Sequence, residues 1–372
     1  MRSVAIVGAG LSGLVLARVL QLHGIDCTVY ESDGSPQGRG QGGSLDIHED
    51  AGQRALREAG LYDQFRALTH PQGQTVRVLD KAATALISFD PGDDHGTRPE
   101  IDRGQLRGLL IGSLDPGRIQ WGHRVVEAVA GRITFADGTS TAADLLVGAD
   151  GTWSRIRPLV SGAAPEYSGI TYAGLRITDA AQRYPDSAAL TGPGMYFALS
   201  DNQGMIGHGG RDIELGVSMR VPEDWLATSG VDWSDPHAAR AFLLTRFAGW
   251  DPGLLDLIRR SDDTIAARQI LALPIGHRWE RVPGVTLIGD AGHVMSPFAG
   301  EGANLAMLDG LDLALALVRH GDDVEAALAE YETAMFARAA VSAEASARGL
   351  ENCFAPDSPR GLTSFFATML QE

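Results

Sequence analysis

The sequence predicts an α/β fold in which a parallel-sheet domain is interrupted by a second domain carrying a β-sheet of its own. Three observations predict it. A short apolar run, Val4-Ala5-Ile6-Val7, breaks into Gly8-Ala9-Gly10-Leu11-Ser12-Gly13. Far along the chain another apolar run, Val285 to Ile288, ends in Gly289-Asp290-Ala291-Gly292-His293. Between them, from about 168 to 269, strand-like runs separated by Gly, Pro, Asn and Asp replace the alternation of strand and helix.

Each element has its own reason. Residues 3–7 read as a buried parallel strand because they are apolar throughout. Leu11 to His23 reads as a helix with Leu16, Val19 and Leu20 on its apolar side and Gly24 as its stop. Cys27 to Glu31 is the next strand and closes one βαβ unit. A glycine-rich loop from Gly38 to Gly43 and a helix around Ala51 to Ala59 follow. Thr75 to Phe89 is a β-excursion with alternating Val76, Val78 and Leu86. Asp102 is an N-cap for a helix whose apolar stripe is Leu106, Leu109, Leu110 and Leu114. Residues 119–147 read as short strands with a hairpin turn at Asp137-Gly138, ending just before Gly148-Ala149-Asp150-Gly151. The second domain supplies strands at 170–177, 194–199, 204–208 and 213–220, then a helix opened by Asp235-Pro236. Gly302 to His320 and Asp323 to about Glu351 are alanine- and leucine-rich helices. The expected organisation is a nucleotide-binding domain from 1–69, 105–167 and 270–320 and a substrate domain from 70–104 and 168–269. A C-terminal helical segment over 321–372 completes the chain.

Composition narrows the function classes. Lys and Arg number 31 against 47 Asp and Glu, a formal charge of -16 over 372 residues. Such a surface repels phosphate backbones and anionic lipid, so neither nucleic acid nor membrane is an expected partner. No apolar run is long enough to span a bilayer, and the first one is too short for a signal-peptide core. Cys27 and Cys353 have neither pairing nor metal-ligand spacing. A cytoplasmic monomer is the expectation. His48, His208 and His293 lack mutual ligand spacing, so no metal is expected. Ser12 and Ser44 do not sit in a G-x-S-x-G elbow, which removes a serine hydrolase.

Gly8-x-Gly10-x-x-Gly13 points to a dinucleotide. The first glycine permits the tight turn, the second lets backbone approach a pyrophosphate, and the third lets helix and strand pack closely. The helix start then offers unpaired N–H groups and positive potential to the diphosphate. Glu31 stands at the distance suited to a ribose diol. A carboxylate such as Asp290, at a strand's C-terminal end, can accept hydrogen bonds from ribityl or ribose hydroxyls. The loop Ser296-Pro297-Phe298-Ala299-Gly300-Glu301-Gly302-Ala303-Asn304 opens another helix and presents N–H groups to an anion. A nicotinamide dehydrogenase has no need of this second segment. An FAD protein gripped from both ends of the chain does.

These motifs together resemble the single-component FAD-dependent aromatic hydroxylases, along essentially the whole chain. More narrowly, Gly42-Gly43-Ser44-Leu45-Asp46-Ile47-His48, Pro99-Glu100-Ile101-Asp102-Arg103 and Pro222-Glu223-Asp224-Trp225 resemble the tetracycline-inactivating flavin monooxygenases of the TetX type. The resemblance implies a Rossmann-like FAD domain with Asp46, Arg103 and Asp290 on FAD, and Arg39 on a transient NADPH. The fingerprint residues and Pro297, Gly300, Gly302 and Asn304 complete the expected cofactor set. Arg107, one helical turn after Arg103, is a rival for its anionic partner. Gly174 and Glu214 stand where the tetracycline enzymes carry a glutamine and a histidine in contact with substrate, and Ser32 replaces an arginine. Met219 and Phe298, with Tyr172, Tyr196, Phe197 and Trp225, either line an apolar substrate pocket or belong to the core.

The implied activity is NADPH- and O2-dependent hydroxylation of a polycyclic phenol. The flavin carries the oxygen chemistry, so no protein side chain is singled out as catalytic. Tetracycline-type antibiotic inactivation is the leading substrate expectation, and tailoring hydroxylation in aromatic polyketide biosynthesis is the alternative. A flavin halogenase lacks support because Trp-x-Trp-x-Ile-Pro is absent. A flavin-binding protein without catalysis would share the fold and consume no NADPH.

Overall fold

A computed structural model describes residues 3–38, 43–69, 75–90 and 98–369. The chain divides into two compact units, 1–69 with 100–166 and 271–346, and 70–99 with 167–270 and 347–372. Arg39 lies outside the described residues.

The first unit is built on a five-stranded sheet in the order Val285–Leu287, Leu145–Gly148, Val4–Val7, Cys27–Tyr30, Ile119–Gln120, with every pairing parallel. Strands buried on both faces must be apolar, and Val4, Ala5, Ile6, Val7, Leu145, Leu146 and Val147 all are. The first helix, Leu11–Leu22, buries Leu14, Val15, Leu16, Ala17, Val19 and Leu20 completely. Each of the larger side chains contributes about 1.5–3 kcal/mol of hydrophobic stabilisation. A helix over Gly302–His320 crosses it closely. A Cβ at Gly310 would stand 2.4 Å from the Ser12 carbonyl oxygen and 3.0 Å from the Leu16 nitrogen. Head and tail of the chain thus share one sheet and one helix pair.

Two smaller sheets flank this core. Ser44–Asp46 pairs antiparallel with Glu100–Asp102, setting Asp46 opposite Glu100. Val125–Val129, Arg132–Phe135 and Ser140–Ala142 form a meander turned at Asp137-Gly138. Asp102 caps the helix Arg103–Gly112 by accepting from the Gln105 amide at 2.9 Å.

The second unit centres on a seven-stranded mixed sheet. Its order is Ala266–Ala272, Glu166–Ile177, Ile213–Arg220, Gln203–His208, Met195–Ser200, Val76–Leu79, Ala85–Phe89. One face is covered by the helices Pro236–Arg246 and Pro252–Arg259, whose Leu243, Leu254, Leu257 and Ile258 pack with Leu175, Leu215 and Val217. Strand alternation sends Tyr172, Gly174, Ile206, His208, Glu214 and Gly216 to the other face, where they are half-buried. Phe197 on that face meets Phe366 of the last helix, Arg360–Met369, at 6.3 Å between ring centroids. Among the described residues no helix is long and apolar enough to cross a membrane.

Candidate functional site

The glycine fingerprint folds as the sequence requires. Gly8 has φ +110°, and a Cβ there would lie 2.3 Å from the Ala149 carbonyl oxygen. A Cβ at Gly13 would lie 2.2 Å from the Gly8 carbonyl oxygen, so this turn admits no larger residue. The first helix has no side-chain cap, and its first intrahelical bond runs from the Leu14 amide to the Gly10 carbonyl. The amides of Leu11, Ser12 and Gly13 precede that bond and form a cradle for an anion. Glu31 is buried and accepts from the Ala9 amide at 2.8 Å and the Asp33 amide at 2.9 Å. It therefore anchors the turn beside the position expected for a ribose.

The two arginines of the next helix have different jobs. Arg107 is buried, with its guanidinium donating to the carbonyls of Ala9 and Pro36 at 3.0 Å each. It ties the helix to the turn and flanks a cavity of about 420 Å³ lined also by Pro36, Gln37, Gly104, Gly108 and Ile111. Arg103 is half-buried, and among the described residues no carboxylate pairs with its guanidinium. A half-buried arginine without a counter-ion suits an anionic ligand.

A second anion cradle lies at the start of Gly302–His320, which also lacks a side-chain cap. Gly300 is left-handed at φ +70°, and a Cβ there would stand 4.0 Å from Asp46 Oδ1. Asn304 explains why Asp46 is there. Its buried carboxamide donates to the Asp46 carbonyl at 2.9 Å and accepts from the His48 amide at 2.8 Å. Asn304, expected on the cofactor, pins the strand Ser44–Asp46 to the start of its own helix. His48 Nε2 lies 3.0 Å from Asp46 Oδ2. Glu100, opposite Asp46, is buried and accepts from Ser44 Oγ at 3.0 Å. Burial pushes its carboxyl up to about 7, with the Ser44 hydroxyl opposing and the Asp46 charge adding.

Asp290 follows the strand Val285–Leu287 and is exposed, while the backbone around it is held from within. Gly289, at φ +62°, packs against Ser12, where a Cβ would stand 2.9 Å from Oγ. Arg157 donates to the carbonyls of Asp290 at 3.1 Å and Ala291 at 2.8 Å, and also to that of Thr152 at 2.9 Å. It joins the Asp150-Gly151 loop to the Gly289-Asp290 loop. His277 bridges the Gly292 carbonyl, 2.8 Å from Nδ1, and Ser161 Oγ, 2.9 Å from Nε2. Asp309, fully buried, accepts from the Gly289 amide at 2.8 Å. Its carboxylate also meets His293 Nε2 at 2.6 Å and Arg338 at 2.8 Å. These cations hold the Asp309 carboxyl below its usual range against its burial, and Asp309 in turn raises the His293 imidazole despite burial. Sequence reasoning missed Arg157, His277 and Asp309. The one local signal was an acid at 309 set in the apolar face of its helix.

The substrate-side expectations fall on two units. Gly174 and Glu214 share the half-buried face of the seven-stranded sheet, where His208 is the register partner of Glu214 and Arg176 lies 3.7 Å from Glu214. Met219 is a correction. It faces the helix-covered side with Ile213, Leu215 and Val217 and is fully buried in that core, because strand alternation puts it opposite Glu214. Tyr196 and Trp225 likewise join that cluster, Tyr196 as a buried member and Trp225 packed against it. Phe298 belongs to the first unit and is half-buried in the turn Pro297–Ala299.

The residues present fit a flavin dinucleotide: two uncapped helix starts for anionic groups, an unpaired arginine, and an acid at a strand end. Comparison with known proteins agrees. A family model described as FAD binding domain matches residues 1–346. Monooxygenase asqM of Emericella nidulans is 32% identical, over 93% of this chain and 94% of its own. An FAD-dependent urate hydroxylase of Mycolicibacterium vanbaalenii is also 32% identical, over 91% of this chain and 85% of its own. The crystal structure of tetracycline destructase Tet(55) matches with a TM-score of 0.76, over 100% of this chain and 95% of that one, at 20% identity. That last likeness is one of fold. The chain belongs to the FAD-binding-domain family and is an FAD-dependent monooxygenase.

Proposed function

We propose that this monooxygenase uses NADPH and O2 to hydroxylate an electron-rich, polycyclic phenol bound against the open face of the seven-stranded sheet. The observation that carries the substrate class is that face. It offers Tyr172 and Ile206 as apolar surface, two glycines at 174 and 216, and a polar group in which Glu214 stands between His208 and Arg176. A mostly apolar wall with a few placed polar groups is what a planar phenolic ligand needs.

In this reading Gly8, Gly10, Gly13 and Glu31 hold the dinucleotide's adenosine and diphosphate portion. Arg103 faces the diphosphate and Asp290 accepts from ribityl or ribose hydroxyls. Asp46 and the Pro297–Gly302 loop meet the flavin ring. Arg39 receives the reduced nicotinamide. Bound FAD supplies the electron transfer from NADPH and the activation of oxygen. The protein's share is orientation and a dry, shaped cavity. The His208–Glu214 pair orients the substrate's hydroxyl.

Tetracyclines are the first substrates to test, supported by the motifs at 42–48, 99–103 and 222–225. Aromatic polyketide tailoring is the second reading, favoured by Gly174 and Glu214, which depart from the tetracycline pattern. Each candidate is added to yellow, FAD-loaded protein, with NADPH oxidation and product mass followed. A tetracycline that stimulates oxidation and gains one oxygen supports the first reading. Inert tetracyclines with an active phenolic polyketide establish the second. No stimulation by any phenol in a broad panel would refute the phenolic class.

A further inference from the structure

The Gly289-Asp290 turn exposes a carboxylate on a backbone that buried side chains grip from beneath. Asp309 is the deepest of these. It is fully buried on the helix Gly302–His320, and one oxygen accepts from both the Gly289 amide at 2.8 Å and His293 Nε2 at 2.6 Å. The other oxygen takes Arg338 at 2.8 Å, and Arg338 also reaches Asp312 at 2.6 Å. Arg338 comes from the long helix Val324–Cys353. The same helix sends Tyr331 to donate to the Leu287 carbonyl at 2.9 Å, and Glu332 to accept from Thr286 Oγ1 at 2.8 Å. One helix face therefore reads the strand Val285–Leu287 and, through Asp309, the turn that follows it. Gly289 has positive φ and stands tightly against Ser12, so the orientation of its peptide decides where Asp290 points.

We propose that Asp309, clamped between His293 and Arg338, is the positioning residue for Asp290: by holding the Gly289 N–H it fixes where the Asp290 carboxylate meets the cofactor. The cost of desolvating a buried carboxylate must be offset by partners, and three donors on one carboxylate is more than a simple helix contact requires. The grip on a single peptide N–H next to a functional acid is what distinguishes positioning from packing. This inference rests on the reading that Asp290 contacts FAD.

The test is a double-mutant cycle on the full-length holoenzyme, reading FAD dissociation from the recovery of free-flavin fluorescence. Asp309→Asn keeps size but disrupts the donor pattern, and Asp290→Asn weakens the contact itself. Positioning predicts that Asp309→Asn weakens FAD binding about tenfold in the natural background but changes it less than about twofold when Asp290→Asn is present. Equal losses in both backgrounds overturn the inference and leave Asp309 a core residue. If Asp290→Asn alone leaves FAD affinity unchanged, the cofactor reading of Asp290 is what falls. Should Asp309→Asn fail to fold, Arg338→Lys and Arg338→Met run the same cycle. Lysine keeps the cation and should stay near the natural affinity, whereas methionine should follow Asp309→Asn, and equal affinities for the two overturn the proposal.

Discussion

Replacing Glu100 by glutamine should stabilise the protein at alkaline pH and hardly at all at acidic pH. Glu100 is 7% exposed, accepts from Ser44 Oγ at 3.0 Å and stands opposite Asp46 in a two-stranded ladder. Burial first, and the Asp46 charge after it, raise its carboxyl from 4.5 to about 7, while the Ser44 hydroxyl pulls the other way. A displacement of that size corresponds to about 3 kcal/mol. Between pH 4.5 and about 7 the native protein keeps a proton that the unfolded chain has released. Stability therefore falls as pH rises through that window and stays lower above it. A glutamine side chain there would remain neutral throughout and could still accept from Ser44. Urea unfolding of both proteins at pH 5 and pH 8 would measure the gap, expected to be under about 1 kcal/mol at the first pH and to approach 3 kcal/mol at the second. A gap equal at both pH values would refute the reasoning, since it would mean that Glu100 ionises as readily folded as unfolded.

Gly13→Ala should abolish FAD retention and lower stability by about 1–3 kcal/mol or more, because its Cβ would lie 2.2 Å from the Gly8 carbonyl oxygen. Flavin absorbance per protein and thermal melting check both parts. Arg39→Ala should slow flavin reduction by NADPH in stopped-flow absorbance while leaving FAD content near normal. Glu332→Ala should cost about 3–5 kcal/mol in denaturant unfolding, since it strips a buried carboxylate from Trp279 Nε1, Arg281 and Thr286 Oγ1.

Local chemistry was legible wherever neighbours in sequence decide the outcome. The Asp102 cap, the helix starting at Leu11, the hairpin at Asp137-Gly138 and the helix Gly302–His320 lie where their residues place them. The sheet strands over 195–220 follow the runs of β-formers between turn residues. Asp251-Pro252 repeats the signal of Asp235-Pro236 and opens a helix in the same way, with Asp251 accepting from the Gly253 amide, yet it was passed over. Long-range partners were not legible. Arg157 meets Ala291 across 134 positions and Glu332 meets Thr286 across 46, and no spacing rule connects them. Met219 failed for a different reason: a strand's two faces are distinguishable only once one knows which is covered, and the helices Pro236–Arg246 and Pro252–Arg259 further along the chain cover the side it points to.

The glycines of the second unit show why the cofactor is readable and the substrate is not. A Cβ at Gly207 would fall 1.9 Å from the Glu214 carbonyl oxygen, and one at Gly204 would fall 2.9 Å from the Ala198 carbonyl oxygen, so the backbone itself demands both. Gly174 differs. A Cβ there would find the Ala266 carbonyl and the Tyr172 ring at 3.7 Å, which is ordinary contact. Its register partner Gly216 is nearly as tolerant, with Tyr172 at 3.4 Å as its nearest neighbour. The fold does not require glycine at either position. Under the proposed function their bareness serves the substrate, leaving a smooth strip beside Tyr172 where a longer side chain would narrow the space. Gly8 and Gly13, by contrast, are fixed by the protein's own backbone, the carbonyl oxygens of Ala149 and Gly8 standing 2.3 Å and 2.2 Å from where their Cβ atoms would lie. Sterics set by the backbone leave a recognisable pattern in sequence, whereas space left open for one ligand leaves only a small residue.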